Sequence, residues 1–313
     1  MAKPLKEKLD TIPVISVLMR FFKRIKLPGL NGLSFYDLLE LYVTGIVKGA
    51  LTSRASSIAF SFFMALFPFL LFVLIIIPYV PIDDFKIEFL RFLDSFLPPK
   101  TSDFFFQSIF EGIDQSQRGG LVSSVFILSI LLMANGVQAV FSGFENSYHE
   151  QLTRNVFRQY LYALGVAIIL AFLLILTIAV LGYFQIYIVQ KLLNTLESRG
   201  YQVDSQGVFW ANVAKSVFFV IMVYIATATL YYFGTKEGRH SKFFSVGALF
   251  TTILIILSSY LFGVYIENFG QYNKLYGSIG ALLILMFYLW INSNILLLGF
   301  ELNASINKLR KRG

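Results

Sequence analysis

Residues 273–305 read NKLYGSIGALLILMFYLWINSNILLLGFELNAS, and this stretch decides the fold. A turn at Tyr276, Gly277 and Ser278 precedes roughly twenty mostly apolar residues, the length a helix needs to cross a ~30 Å hydrocarbon core. Asn292, Ser293 and Asn294 interrupt the run. Glu301 and Asn303 follow it, ahead of the basic tail Lys308, Arg310, Lys311 and Arg312. Spanning alone requires none of these polar groups. They are costly against lipid, so they are expected to face other helices or a wet cavity.

The rest of the chain agrees with a membrane setting. Of 313 residues, 57% are hydrophobic and 14% charged. Soluble domains run at about 45–50% apolar and about 25% charged. The fold class that follows is all-α, a polytopic membrane protein with six transmembrane helices plus interfacial amphipathic helices. The spans are expected at about 57–80, 121–143, 161–190, 208–233, 243–266 and 277–299. They make a membrane domain over 57–303, between a basic cytoplasmic segment at 1–56 and a basic cytoplasmic tail at 304–313.

Interfacial helices are expected in three places. In residues 13–26, Val14, Leu18, Phe21, Phe22 and Ile25 recur at helical spacing among Arg20, Lys23, Arg24 and Lys26. That pattern suits an anionic membrane surface or the protein's own cytoplasmic face better than nucleic acid, which is not expected as a partner. Residues 34–53 resume as a helix too polar to span. The long loop 81–120 carries Phe85, Phe89, Leu93 and Phe96 and then Phe105, Phe106, Ile109, Phe110 and Ile113, two further amphipathic stretches. With six spans both termini share a side. Eighteen Lys and Arg fall on that side and seven on the other. The positive-inside rule then puts both termini in the cytoplasm of a bacterial cell, with the spans in its inner membrane.

Three segments carry a family resemblance. The first is Tyr276–Gly277 followed by Leu297, Leu298, Gly299, Phe300 and Glu301. The second is SIAFSFFMALFPFLL at 57–71, whose Leu66, Phe67 and Pro68 close a small-residue and aromatic run. The third is the end of the second span, with Asn146 and, at Tyr148, tyrosine where many members have tryptophan. Over roughly residues 40–305 the chain resembles the YihY/BrkB family of bacterial inner-membrane proteins. Gly234 is a departure: many members have a proline shortly after the tyrosine that ends the fourth span. Members were once labelled ribonucleases, and the motifs that carry the resemblance have no known chemistry.

Polar residues within the spans gather towards the cytoplasmic half. The candidate polar cavity comprises Arg54, Ser57 and Ser61 at the first span, Asn135, Gln138, Glu145 and Asn146 at the second, and Asn292, Asn294 and Glu301 at the last. Arg54 is expected to pair with Glu145 or Glu301. Pro68, inside the first span, is expected to kink it and free a carbonyl one turn earlier. The competing reading is that these groups hydrogen-bond between helices and fix their packing.

Several chemistries lack their residues. There is no cysteine, and the two histidines, His149 and His240, are isolated. No Gly-rich phosphate loop ending in Lys and Ser or Thr is present. No cofactor, metal or catalytic residue is therefore expected, and a metal-dependent nuclease lacks its ligands. The leading functional class is a transporter or flippase-like protein that moves a lipid-like or anionic substrate without ATP. The alternative is a membrane scaffold or envelope-integrity factor. Membrane lipids are the expected partners. Oligomeric state is left open, since the small-residue pair Gly45 and Gly49 is weak evidence in a chain with 22 glycines.

Overall fold

A computed structural model describes residues 26, 34–48, 50–76, 119–145, 155–184, 205–235, 242–269 and 278–312. These form seven helices: α1 (Phe35–Lys48), α2 (Leu51–Ile76), α3 (Gly119–Glu145), α4 (Val156–Tyr183), α5 (Ser205–Gly234), α6 (Val246–Phe269) and α7 (Ser278–Arg312). One isolated bridge between Lys26 and Ser34 is the β pairing among the described residues. The protein is an all-α polytopic membrane protein.

Helices are what a bilayer permits, because each backbone N–H and C=O must find a partner without water. Five of the seven are long and apolar enough to cross: α3, α4, α5, α6 and α7. The sixth apolar helix, α2, has 26 residues and a length of about 39 Å. Its helical backbone runs on through Pro68. The expected amphipathic stretches at 13–26, Lys26 apart, 85–96 and 105–113 lie outside the described residues, as do Asn146, Tyr148, His149 and His240.

Helix boundaries follow from local chemistry. Ser34 and Asp37 exchange bonds before α1. The Ser34 backbone N–H and hydroxyl donate to Asp37 Oδ2 at 2.8 and 2.7 Å, and Asp37 N–H returns a 3.3 Å bond to Ser34 Oγ. This is a capping box with aspartate in the glutamate position. Asn155 Oδ1 caps α4 through Phe157 N–H, and Ser245 Oγ caps α6 through Ala248 N–H. The expected helix over 34–53 breaks instead at Ala50, which takes φ 47°. That left-handed residue turns the chain from α1 into α2, so α2 begins at Leu51, six residues before the expected span. At the other end α7 does not stop at 299 but continues as helix to Arg312, taking in the tail.

The six apolar helices pack in a ring in chain order. Each touches the next, and α7 closes the ring on α2. Inside that order α3 also meets α5 and α7, while α1 lies along α7. Half of the most apolar stretch of α3 is buried but only 11% of that of α6, so α3 is central and α6 is lipid-facing.

Among the described residues, the buried side chains of α2, α5, α6 and α7 gather towards one end of the ring, while those of α4 run along its length. The buried residues of α2 sit at its start (Leu51, Ala55, Ile58), and those of α3 include its end (Phe141, Phe144). In α5 they are Ala228, Leu230 and Tyr231, near its end; in α6 Ala248 and Thr251, near its start; in α7 Leu297 and Phe300, in its second half. Alternate ends of successive helices meet there, as an up-and-down bundle requires.

Candidate functional site

Arg54 stands at this well-packed end, one turn into α2. Its Nη1 donates to the Gly143 carbonyl at 2.7 Å. That carbonyl is among the last four of α3, which have no partner within the helix and carry the negative end of its dipole. A cation there satisfies both. Gly143 is also small for a reason: a Cβ on it would lie 2.8 Å from Ile58 Cδ1. The glycine lets α2 come close enough for Arg54 to reach.

The other guanidinium arm, Nη2, bonds Glu301 Oε1 of α7 at 2.7 Å. Of the two carboxylates expected for Arg54, the structure selects Glu301. The side chain of Glu301 has no exposed surface and that of Arg54 has 9%. The remaining guanidinium donor, Nε, is buried with no hydrogen-bond partner. Taking two charges out of water costs several kcal/mol each, and their attraction offsets that only when every donor and acceptor is matched. Here one donor is not.

A second polar chain joins α3 to α4. Gln138 Nε2 donates to Gln159 Oε1 at 3.0 Å, and Gln159 Nε2 donates to Glu145 Oε2 at 2.8 Å. Gln159 was absent from the sequence candidates. Its signal was its place one turn after the Asn155 cap, on the face turned to α3.

A third group locks α5, α6 and α7. Tyr231 hydroxyl donates to the Leu296 carbonyl and shares a 2.6 Å bond with Thr251 Oγ1. Asn303 Oδ1 accepts from Gly247 N–H at 2.7 Å, and its Nδ2 donates to Ser245 Oγ at 2.8 Å. Asn303 thus reaches from α7 to satisfy a first-turn donor of α6. The helices cross so closely that a Cβ on Gly299 would collide with Thr251 Oγ1 and come within 2.6 Å of Tyr231 hydroxyl. Phe300 stacks on Phe144 with ring centres 4.2 Å apart, and Tyr231 packs edge-on to both.

Tyr42, on α1 outside the spans, is half-buried beside this group. Burial, and then the negative charge of Glu301, pushes its phenol up to about 12. A negative group therefore acts on α1 from within the bundle.

The other expected site residues divide. Ser57 and Asn135 are exposed and do not join the cluster. A step of three residues turns a helix by about 300°, which carries Ser57 some 60° off the Arg54 face. Ser61 is half-buried. Asn292 and Asn294 donate to their own helix, at the Tyr288 and Trp290 carbonyls. Their amides stay partnered within the spanning segment. Between α2, α3, α4 and α7 lies a partly open cavity of about 250 Å³ with apolar walls. Among the described residues no three His, Cys, Asp or Glu side chains gather to hold a metal.

Comparison with known proteins bears on the same residues. A family model described as Virulence factor BrkB matches residues 43–313, taking in Arg54, Gly143, Tyr231 and Glu301. A ribonuclease-like protein of Bacillus subtilis (strain 168), YfkH, is 26% identical over 264 residues, which cover 83% of this chain and 91% of that protein. A UPF0761 membrane protein of Coxiella burnetii (strain RSA 493 / Nine Mile phase I) is 25% identical over 289 residues, covering 90% and 93%. A UPF0761 membrane protein of Psychrobacter sp. (strain PRwf-1) is 21% identical, and this chain spans 50% of its length. No solved structure matches.

Proposed function

The chain belongs to the BrkB virulence-factor family, and from that premise we propose that it is a transporter or flippase-like protein, not driven by ATP, for a lipid-like or anionic substrate. In this reading it sits in the bacterial inner membrane with both termini in the cytoplasm. The observation that supports it is the Arg54–Glu301 pair, an ion pair buried between the helices of the bundle. Ionisable groups inside a bundle mark substrate or ion paths more often than packing needs. Glu301 is an anion held on Arg54 by a single bond, with Nε left over. A substrate phosphate or carboxylate could replace it, keeping the guanidinium neutralised throughout. Gly143, a backbone acceptor, holds Arg54 in place during the exchange.

The experiment is lipid movement in reconstituted vesicles. Protein carrying Arg54→Ala is compared with the original chain, using a head-labelled anionic phospholipid and an impermeant quencher. The expected result is loss of protein-dependent movement per folded protein reconstituted. Movement at the original rate overturns the reading.

A second reading, a membrane scaffold, is favoured by one observation. Most span polar groups are already partnered, from Asn292 and Asn294 on their own helix to the Gln138–Gln159–Glu145 chain. It predicts no lipid movement by the original chain. Neither reading assigns catalysis, and the ribonuclease-like name belongs to the Bacillus relative.

A further inference from the structure

We propose that α1 is a hinged cover over the Arg54–Glu301 pair: docked on α7 it keeps water from the pair, and swung out about Ala50 it opens the pair to an anionic group. As a gate it rests on the transport reading above; as a cover it stands on the packing of α1.

The seat of the cover comes first. Helix α1 meets both α7 and α2, the two helices that supply the pair. Leu38, Tyr42 and Ile46 stand four apart, which places them on one face of α1. Leu38 packs with Leu309 near the tip of α7, and Ile46 packs against the main core of the bundle. Between them, burial and then the charge of Glu301 raise the Tyr42 phenol, so Tyr42 lies within reach of that carboxylate. As α1 advances towards the core, its neighbours on α7 recede from Leu309 to Glu301, so the two helices run antiparallel. Leu38 to Ile46 and Leu309 to Glu301 each span eight residues, about 12 Å. The α1 face thus matches in length the stretch of α7 that ends at the buried carboxylate. Ser305 stands midway along that stretch, four residues from each end, and has no exposed surface.

The seat is lightly held. Among the described side chains of α1, Leu38 is the buried one; Tyr42 and Ile46 are half-buried, and Glu40 and Val43 are exposed. A segment with few buried apolar contacts opens at a lower free-energy cost than the core does. Opening also brings a gain. Ser305 Oγ and Arg54 Nε are both buried without a hydrogen-bond partner, and water would satisfy them once α1 moves. The joint is Ala50. It takes the left-handed φ of 47°, which is costly for a residue with a Cβ. It is also exposed, so its dihedrals can change without repacking its side chain. Its carbonyl accepts from the backbone N–H groups of Ser53 and Arg54 at 3.1 and 3.3 Å. The joint that frees α1 is therefore bonded to the first turn of the helix that carries Arg54.

The chain has no cysteine, so an introduced thiol is a unique reporter. Ser305→Cys is placed in the full chain in lipid nanodiscs, and its rate of modification by a charged thiosulfonate is measured. Leu38→Ala, which loosens the cover, should raise that rate on the order of tenfold. Thr235→Cys, at a buried position just past α5, is the control and should react at an unchanged rate when Leu38→Ala is added. An unchanged rate at Ser305→Cys, or an equal rise at both reporters, overturns the cover. The gate is tested by locking α1. Leu38→Cys and Leu309→Cys, joined by a short bis-thiosulfonate, fasten α1 to α7. Lipid movement in reconstituted vesicles should stop in the linked protein and return on reduction. Full movement by the linked protein overturns the gate. If the original chain moves no lipid, the transport reading and the gate fall together, while the thiol rates still decide whether α1 is a cover. Those rates also carry the test if the cysteine pair is not tolerated.

Discussion

The two ends of the helix ring are built on different rules. At the Arg54 end, glycines are places where another helix passes: Gly143 against Ile58, Gly234 against Phe144, Gly247 against Gly299. Gly263, towards the other end of α6, has nothing within 4 Å of where a Cβ would sit. Large side chains such as Leu257, Tyr260 and Leu261 of α6 stand exposed there, turned to where lipid would be. The same residue type is a contact at one end and a gap in the surface at the other. Buried polar groups lock the first end; at the second, α6 and α7 meet through the 2.7 Å bond between the Ser259 and Tyr288 hydroxyls and through Phe262 against Tyr288.

The strongest way to break this contrast is at the ion pair. Arg54→Ala removes the cation bonded to the fully buried Glu301, at an expected cost of about 3–5 kcal/mol. Arg54→Ala combined with Glu301→Ala should recover most of that. A double-mutant cycle on melting in detergent measures it, and additive losses would show the pair to be uncoupled.

Gly299→Ala comes next. It forces α6 off α7 and strains both Tyr231 bonds, with an expected loss of about 3 kcal/mol. Gly263→Ala, on the same pair of helices but at the open end, should instead stabilise by about 0.5–1 kcal/mol, since helical glycine is costly and nothing opposes the methyl. If the two substitutions act alike, the distinction between the ends is wrong.

The smallest effect belongs to Tyr42. Its phenol is held at about 12, above the ordinary value near 10. Between those values the folded chain keeps a proton the unfolded chain has lost. Stability therefore falls as pH rises from about 10 to about 12. Solvent reaches this half-buried ring, so the change is no more than about 1 kcal/mol. The original chain should lose melting temperature relative to Tyr42→Phe across that pH range; parallel curves would show that neither burial nor Glu301 acts on the phenol.

Legibility in the sequence follows the same divide. The all-α membrane fold was open to reading because apolar length is a property of a single segment. The Arg54–Glu301 pair could be named because charges are rare within the spans, which left Arg54 two carboxylates to choose from. The choice between Glu145 and Glu301 needed the α3–α4 contact, where Gln159 meets Glu145. The α6–α7 crossing was not read, although Gly247 and Thr251, like Gly299 and Asn303, stand four apart in the pattern small residues use to bring helices together. Gly45 and Gly49 match that pattern equally well. A spacing shared by contacts and coincidences does not separate them. The cavity had no sequence signal, because a gap depends on how four helices diverge.

Helix α7 has 35 residues without a break, about 52 Å from end to end, against a hydrocarbon core of about 30 Å. Its surplus carries Leu302, Ile306 and Leu309, which pack with Leu38 of α1. Glu301 and the seat of α1 are thus marks on one ruler, separated by a fixed rise. When the bilayer thins or thickens, α7 cannot slide the ion pair without dragging α1 with it. Mismatch is then taken up by tilt at the far end, where Leu282, Leu283 and Phe287 are exposed. The depth of the charge in the membrane is set by the protein, and the lipid adjusts to it.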